Sequence, residues 1–159
     1  MTDENDKYAK VLFRYHSNVL DEITVETMWA IKIDEKNGIY KLDSIPFYGP
    51  LIATDDEFYA EFDESEQMLT YRETTKPSGN SIVLVSITKE GIDKENIRDD
   101  FKSIGCTSEG LNESYFSMEI PRSSDYSTIK RKLDGYEEQG IFEYAEPCLS
   151  EKHRNEIKY

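Results

Sequence analysis

Histidine, cysteine and positive charge are all scarce in this chain, and long hydrophobic runs are missing. Two histidines, His16 and His153, and two cysteines, Cys106 and Cys148, among 159 residues leave no Cys/His cluster with zinc spacing. No serine or cysteine carries the local signature of an activated nucleophile, so catalysis is poorly supplied. No apolar run reaches about 18 residues, and the opening MTDENDK has neither a basic n-region nor an apolar h-region. Neither a membrane span nor a signal peptide is therefore expected. Two cysteines suit a cytoplasmic protein with reduced, packed thiols better than a disulfide framework. Lys and Arg number 19 against 33 Asp and Glu, a formal net charge of −14. Such a field repels nucleic acid and anionic membrane and attracts a basic partner.

Aromatic rings are abundant. Eleven tyrosines and seven phenylalanines, in a chain only 37% hydrophobic, mark a folded domain, because disordered chains lack the side chains that offset backbone ordering. The first half reads as short strands. Val11, Phe13 and Tyr15 alternate with Arg14 and His16, as in a half-buried strand. Trp29, Ile31 and Ile33 alternate too, which places Trp29 in the core of this half. Asn37-Gly38 then signals a hairpin, since both residues tolerate positive φ. Strands at 57–63 and 68–74 follow, and Lys76 to Asn80 breaks the chain.

The second half changes rhythm. Ile82 to Ile87 is a nearly unbroken apolar run, as in a strand covered on both faces. Asp93 can cap a helix carrying Ile97, Phe101 and Ile104, with Gly105 at its end. A weak strand near 106–109 and a clearer one at 115–120 precede a second helix with Tyr126, Ile129, Leu133 and Tyr136 on one stripe. Lys130, Arg131 and Lys132 fall on its solvent side. A last strand starts at Ile141, and the tail from Ser150, which holds His153, reads as loose.

The predicted fold class is α+β: a small bent antiparallel sheet or open barrel (8–80), then a ferredoxin-like βαββαβ unit (81–147) and a tail (148–159).

Several stretches resemble a known family. They are Glu26 to Ala30, Tyr40 to Tyr48 with its Ile45-Pro46-Phe47-Tyr48 run, Asp56 to Asp63, Leu69 to Tyr71, and Ser78 to Ser81. Together they resemble a bacterial family of small cytosolic proteins known as a domain of unknown function. The resemblance spans roughly residues 8–147 and is sharpest from Trp29 to Ser81. It implies a compact two-part α+β fold and no established enzymatic activity. By analogy with other small acidic proteins, it also brings in immunity partners of secreted toxins.

The candidate sites follow from charge and geometry. Asp55 to Glu66 carries seven carboxylates and three aromatic rings without one Lys or Arg. On a strand, Glu57, Tyr59, Glu61 and Asp63 share one face and Phe58, Ala60 and Phe62 the other. That face, with Asp55, Asp56 and Glu64, is the candidate dock for a basic partner. A solvated face that blocks edge aggregation is the structural alternative. Tyr48, in a loop stiffened by Pro46 and Pro50, is the candidate aromatic anchor, whereas Phe47 is expected to plug the barrel. The acidic run lacks the alternating Asp and the glycine of a calcium loop, so no metal is expected, and no cofactor either.

The expected function is a non-enzymatic protein-binding module: an immunity protein that masks the basic surface of a toxin, of nuclease type. A small-molecule-binding regulatory module and an Asp/Glu hydrolase remain as alternatives. Oligomeric state is not readable from the sequence.

Overall fold

The structure is a computed structural model that describes residues 4–17 and 20–157. The first few residues and the last two of the tail, whose character the sequence suggested, lie outside that range.

Five strands build the first sheet: β1 (Tyr8–Ser17), β2 (Glu22–Asp34), β3 (Ile39–Leu42), β4 (Glu57–Asp63) and β5 (Met68–Lys76). Neighbours in the order β1-β2-β3-β4-β5 are antiparallel. The sheet bends until β1 and β5 meet, but they share a single parallel bridge, Leu12 to Thr70. One bridge is not a ladder, so this is a strongly bent sheet and not a continuous closed barrel. Its concave face holds Val11, Phe13, Met28, Ala30, Tyr40, Leu42, Ile52, Phe58 and Ala60. The Phe58 ring centroid lies 5.5 Å from that of Phe13 and 5.5 Å from that of Tyr71, tying opposite sides of the bend together.

The phase of β2 differs from the sequence expectation. Met28 and Ala30 point inward, because the register sets them opposite Val11 and Ala9 of β1. Trp29 is therefore 53% exposed on the convex face. With a side-chain period of two, packing the smaller pair inside forces the tryptophan out. The Asn-Gly hairpin is present in a longer form. A 3-10 turn at Glu35–Asn37 leads into Gly38 at φ 75°, where a Cβ would lie 2.7 Å from the Tyr59 ring and 2.8 Å from the Ala60 carbonyl oxygen.

The second sheet contains β6 (Ser81–Ile87), β7 (Thr107–Asn112), β8 (Tyr115–Ile120) and β9 (Phe142–Cys148), all antiparallel in the order β7-β8-β6-β9. Helix α1 (Lys94–Lys102) joins β6 to β7, and α2 (Tyr126–Glu138) joins β8 to β9. Asp93 and Asp125 cap them by accepting from the backbone N–H of Glu95 and Ser127. Ile97, Phe101, Ile129 and Leu133 of the helices bury against Val83, Val85, Phe116 and Met118 of one sheet face. The other face gives Ile82 and Leu84 to a small contact with Ala53, where the two halves of the chain meet. Lys130 is not a solvent residue: it reaches Glu146 of β9 at 2.8 Å, with its side chain 15% exposed.

The tail also departs from expectation. Residues Glu151–Glu156 form a short helix, α3, and His153 is fully buried. Ser150 caps α3 by accepting from the His153 N–H, while its own N–H donates to the Ser81 hydroxyl.

Candidate functional site

The β4–β5 hairpin sets out the acidic face largely as its alternation predicts. Phe58 and Ala60 are buried, while Glu57, Tyr59, Glu61 and Asp63 face outward. Phe62 shares the inward phase but is 61% exposed. The outward row is organised internally. The Tyr59 hydroxyl donates to Glu61 Oε2 at 2.9 Å. Arg72 of β5 bridges two carboxylates, donating from Nε to Glu61 at 2.9 Å and from Nη2 to Asp63 at 2.8 Å. The Tyr59 hydroxyl, and then Arg72, hold the Glu61 carboxyl below its ordinary range. Arg72, helped by the Glu66 N–H, does the same for Asp63. Glu57 has only a distant partner, Lys76 at 3.9 Å. Among the described residues, Asp55, Glu64 and Glu73 have no ion pair, and Glu73 sits across from Tyr59 in the ladder.

Two sequence candidates lie elsewhere. Asp56 is only 5% exposed and faces inward. Its Oδ2 accepts from the Ala53 N–H at 3.0 Å and its Oδ1 from the Ser78 N–H at 2.8 Å. It fastens the loop before β4 to the linker before β6, so it cannot present charge to a partner. Burial pushes its carboxyl up, against those hydrogen bonds. Tyr48 belongs to a strap, residues 45–50, that crosses between the two sheets.

Side chains of both sheets hold the strap by its backbone. The Pro46 carbonyl accepts from the Ser117 hydroxyl, the Phe47 carbonyl from the Tyr115 hydroxyl, and the Tyr48 carbonyl from the Ser17 hydroxyl. The Phe47 N–H donates to Glu26 Oε1 at 2.7 Å, and Tyr15 donates to Glu26 Oε2 at 2.9 Å. With the backbone turned inward, the Phe47 and Tyr48 rings are left half-buried beside each other, 6.4 Å apart. Phe47 is not part of the first core, which includes Ile52 and Leu42 instead. Glu26 is 8% exposed with no cation paired to it among the described residues, and burial pushes its pKa up. Sequence reasoning missed Glu26, Ser17, Tyr115 and Ser117. The inward phase of β2, once fixed by Met28 and Ala30, would have disclosed Glu26.

A cavity of about 350 Å³ lies beside the strap, floored by Leu84, Ala145, Pro147 and Tyr115 and rimmed by Ser86 and Glu143. Its lining sets no His, Cys or Lys beside Ser86 to activate that hydroxyl. The Ser81 hydroxyl lies 2.6 Å from His153 Nδ1, but both residues are fully buried, and the pair serves to pin α3. Burial pushes the Cys106 and Cys148 thiols up to about 12, far from thiolate at neutral pH. Among the described residues, no group of three or more His, Cys, Asp or Glu side chains is placed to hold a metal ion, and no helix is long and apolar enough to cross a membrane.

The family described as "Domain of unknown function (DUF4265)" matches residues 26–144, from mid-β2 into β9. The chain belongs to this family. In DUF4265 terms, β1 and α3 lie outside the matched stretch, yet both pack into the structure. No curated protein matches the chain. A crystal structure of a hypothetical protein from Neisseria gonorrhoeae has a similar fold, with a TM-score of 0.76 and 23% identity over 89% of this chain and 95% of that one.

Proposed function

We propose that this DUF4265 protein is a non-enzymatic binding protein whose β4–β5 face docks a basic protein partner. Within this reading it is a cytoplasmic immunity protein, and the partner is a toxin domain of nuclease type whose basic working surface it masks. The observation that carries the reading is the outward row Glu57, Tyr59, Glu61 and Asp63. Arg72, with Lys76 at 3.9 Å from Glu57, neutralises only part of that row, and among the described residues Asp55, Glu64 and Glu73 remain without an ion pair around it. The unpaired carboxylates steer a basic surface inward, and Tyr59, held by Glu61, offers a ring that loses little entropy on contact. The second sheet is read as a ferredoxin-like βαββαβ unit, which the order β7-β8-β6-β9 with its two helical crossovers supports.

The test is capture of partners from the source organism's lysate by the tagged protein, washed at low and high salt, followed by binding kinetics. A single basic partner is expected, with an on-rate that falls as salt rises. The triple variant Asp55→Lys, Glu57→Lys, Glu73→Lys should slow association at low salt by about tenfold or more. Unchanged association in that variant would remove the docking role from this face.

A second reading rests on a different observation. Lys41, Arg122, Ser78 and Asn80 line a polar cavity of about 350 Å³ with Asp55 and Glu57, at the junction of the two halves. A small anionic ligand fits such a place. Thermal stabilisation by inorganic phosphate, with no protein captured, would favour this reading.

A further inference from the structure

The polar cavity at the junction of the two halves reverses the sign of the chain around it. Three cations line it, Lys41, Lys76 and Arg122, against two carboxylates, Asp55 and Glu57. One positive charge is therefore left over, in a chain that carries −14. Opposite charges in so small a space attract, and only a restrained wall keeps them from closing on each other. Here they stand apart. Lys76 and Glu57 are 3.9 Å from each other, and among the described residues Lys41, Arg122 and Asp55 have no ion pair. The wall is fixed by bonds of its own. The Ser78 hydroxyl and Asn80 Nδ2 both donate to the Thr54 carbonyl, at 2.7 and 3.1 Å. Asn80 Oδ1 accepts from the Arg122 N–H at 2.9 Å, and the Asp55 N–H donates to the Leu42 carbonyl at 2.9 Å. Asp56 grips the Ser78 N–H from below, so its buried carboxylate holds the wall in place. What the wall leaves free is a set of charged head groups of both signs.

We propose that this cavity binds a free acidic α-amino acid, with Arg122 and Lys41 on its carboxylates and Asp55 and Glu57 on its ammonium. Charge selects the class. Such a molecule carries two carboxylates and one ammonium, the inverse of the surplus on the wall. The Arg122 guanidinium is a fork that fits a carboxylate through two parallel hydrogen bonds, and Lys41 adds a point charge. A ligand with negative charge alone satisfies the cations but sets its charge against Asp55 and Glu57, with nothing to offset the repulsion. A simple amine leaves the cations unanswered. Pro77 is the one apolar residue of the lining, so a hydrophobic side chain gains little there. The cavity opens to water, which weakens each ion pair and keeps the affinity modest. The inference rests on the second reading above, that this cavity takes a small anionic ligand, and it names the class. It turns on Lys41 and Arg122, which the basic-partner reading does not use.

The experiment is calorimetric titration of the full chain with L-glutamate and L-aspartate, each to about 20 mM in about 0.1 M NaCl. Three kinds of control follow: glutarate and succinate, which lack the ammonium; γ-aminobutyrate and β-alanine, which lack the α-carboxylate; and inorganic phosphate. One of the two amino acids is expected to bind at least about tenfold more tightly than every control. Arg122→Met, and separately Lys41→Met, should weaken it by about tenfold while leaving the urea midpoint in place. Asp55→Asn should weaken the amino acid by about fivefold or more, yet leave the dicarboxylates unchanged or bound more tightly. A residue that only shaped the wall would not split the two classes of ligand in that way. Dicarboxylates or phosphate binding as tightly as the amino acids, and weakened by Arg122→Met, would overturn the inference and leave the anion reading standing. Binding by none of the probes would overturn both. Amino-acid binding that Arg122→Met, Lys41→Met and Asp55→Asn all leave unchanged lies elsewhere on the chain, and would overturn the inference as well.

Discussion

The β1–β2 and β4–β5 ribbons belong to one bent sheet and share one core, yet their outer faces have opposite chemistry. Inside, Phe13 of β1 and Phe58 of β4 meet in the same aromatic cluster. Outside, β4 displays Glu57, Tyr59, Glu61 and Asp63, while β2 displays Ile23, Val25, Trp29 and Ile33. Each ribbon also has one hidden carboxylate, within it or just before it, that fastens a neighbouring loop: Glu26 in β2 for the strap, and Asp56, which precedes β4, for the linker. The difference teaches that the inner phase of a strand is dictated by packing, whereas the outer phase is free of that demand. What appears on the outer face is then the better guide to what the protein meets.

The severest way to break the comparison is to remove what the ribbons share. Phe58→Ala empties a fully buried site between Phe13, Tyr40 and Tyr71 and should cost about 3–5 kcal/mol. Urea unfolding should show both ribbons lost in one transition. Next comes Asp56→Ala, which strands the buried N–H of Ala53 and the part-buried one of Ser78, for a loss of about 2–4 kcal/mol. An outward-facing Asp56 would instead give almost no change in the urea midpoint.

The buried carboxylate of the other ribbon is sharpened by pH. Burial raises the Glu26 pKa above its ordinary 4.5, so the folded state holds that proton more tightly than the unfolded state does. Stability from this group is full below about pH 4.5 and is lost as pH rises through the raised value. Glu26→Gln keeps an acceptor for the Phe47 N–H and cannot ionise. Its stability relative to wild type should therefore improve as pH rises from 4.5 through the raised value and level off above it, read from urea midpoints at each pH. The smallest effect concerns the outer faces. Thr27→Lys and Glu73→Lys should each move the midpoint by no more than about 0.5 kcal/mol. A larger shift in either would mean that its face is packed against something within the monomer.

Elements governed by local rules were legible in the sequence. Asp93 caps the helix it was expected to cap, because capping depends on residues two or three apart. Strands β4 and β8 begin and end where alternation placed them. The misreadings share a long-range cause. Alternation with Ile31 and Ile33 places Trp29 in the core, but the register of β2 against β1 chose Met28 and Ala30. Asp56 looked like one more surface acid within an acidic run, until the linker 22 residues away brought the Ser78 N–H to it. His153 sat in a polar tail, and only the fold carried Ser81 to within reach of it. Of the candidate site, the outward row of β4 was legible, and the strap that displays Tyr48 was not.

The strap also has a mechanical consequence. Its peptide groups are gripped on one side by Ser17 and Glu26 and on the other by Tyr115 and Ser117. The two sheets therefore cannot swing about the linker as about a hinge unless several of these grips let go together. A push on the Tyr48 ring at the surface would be transmitted as torque to both sheets at once, making the molecule a single stiff lever and not two beads on a string.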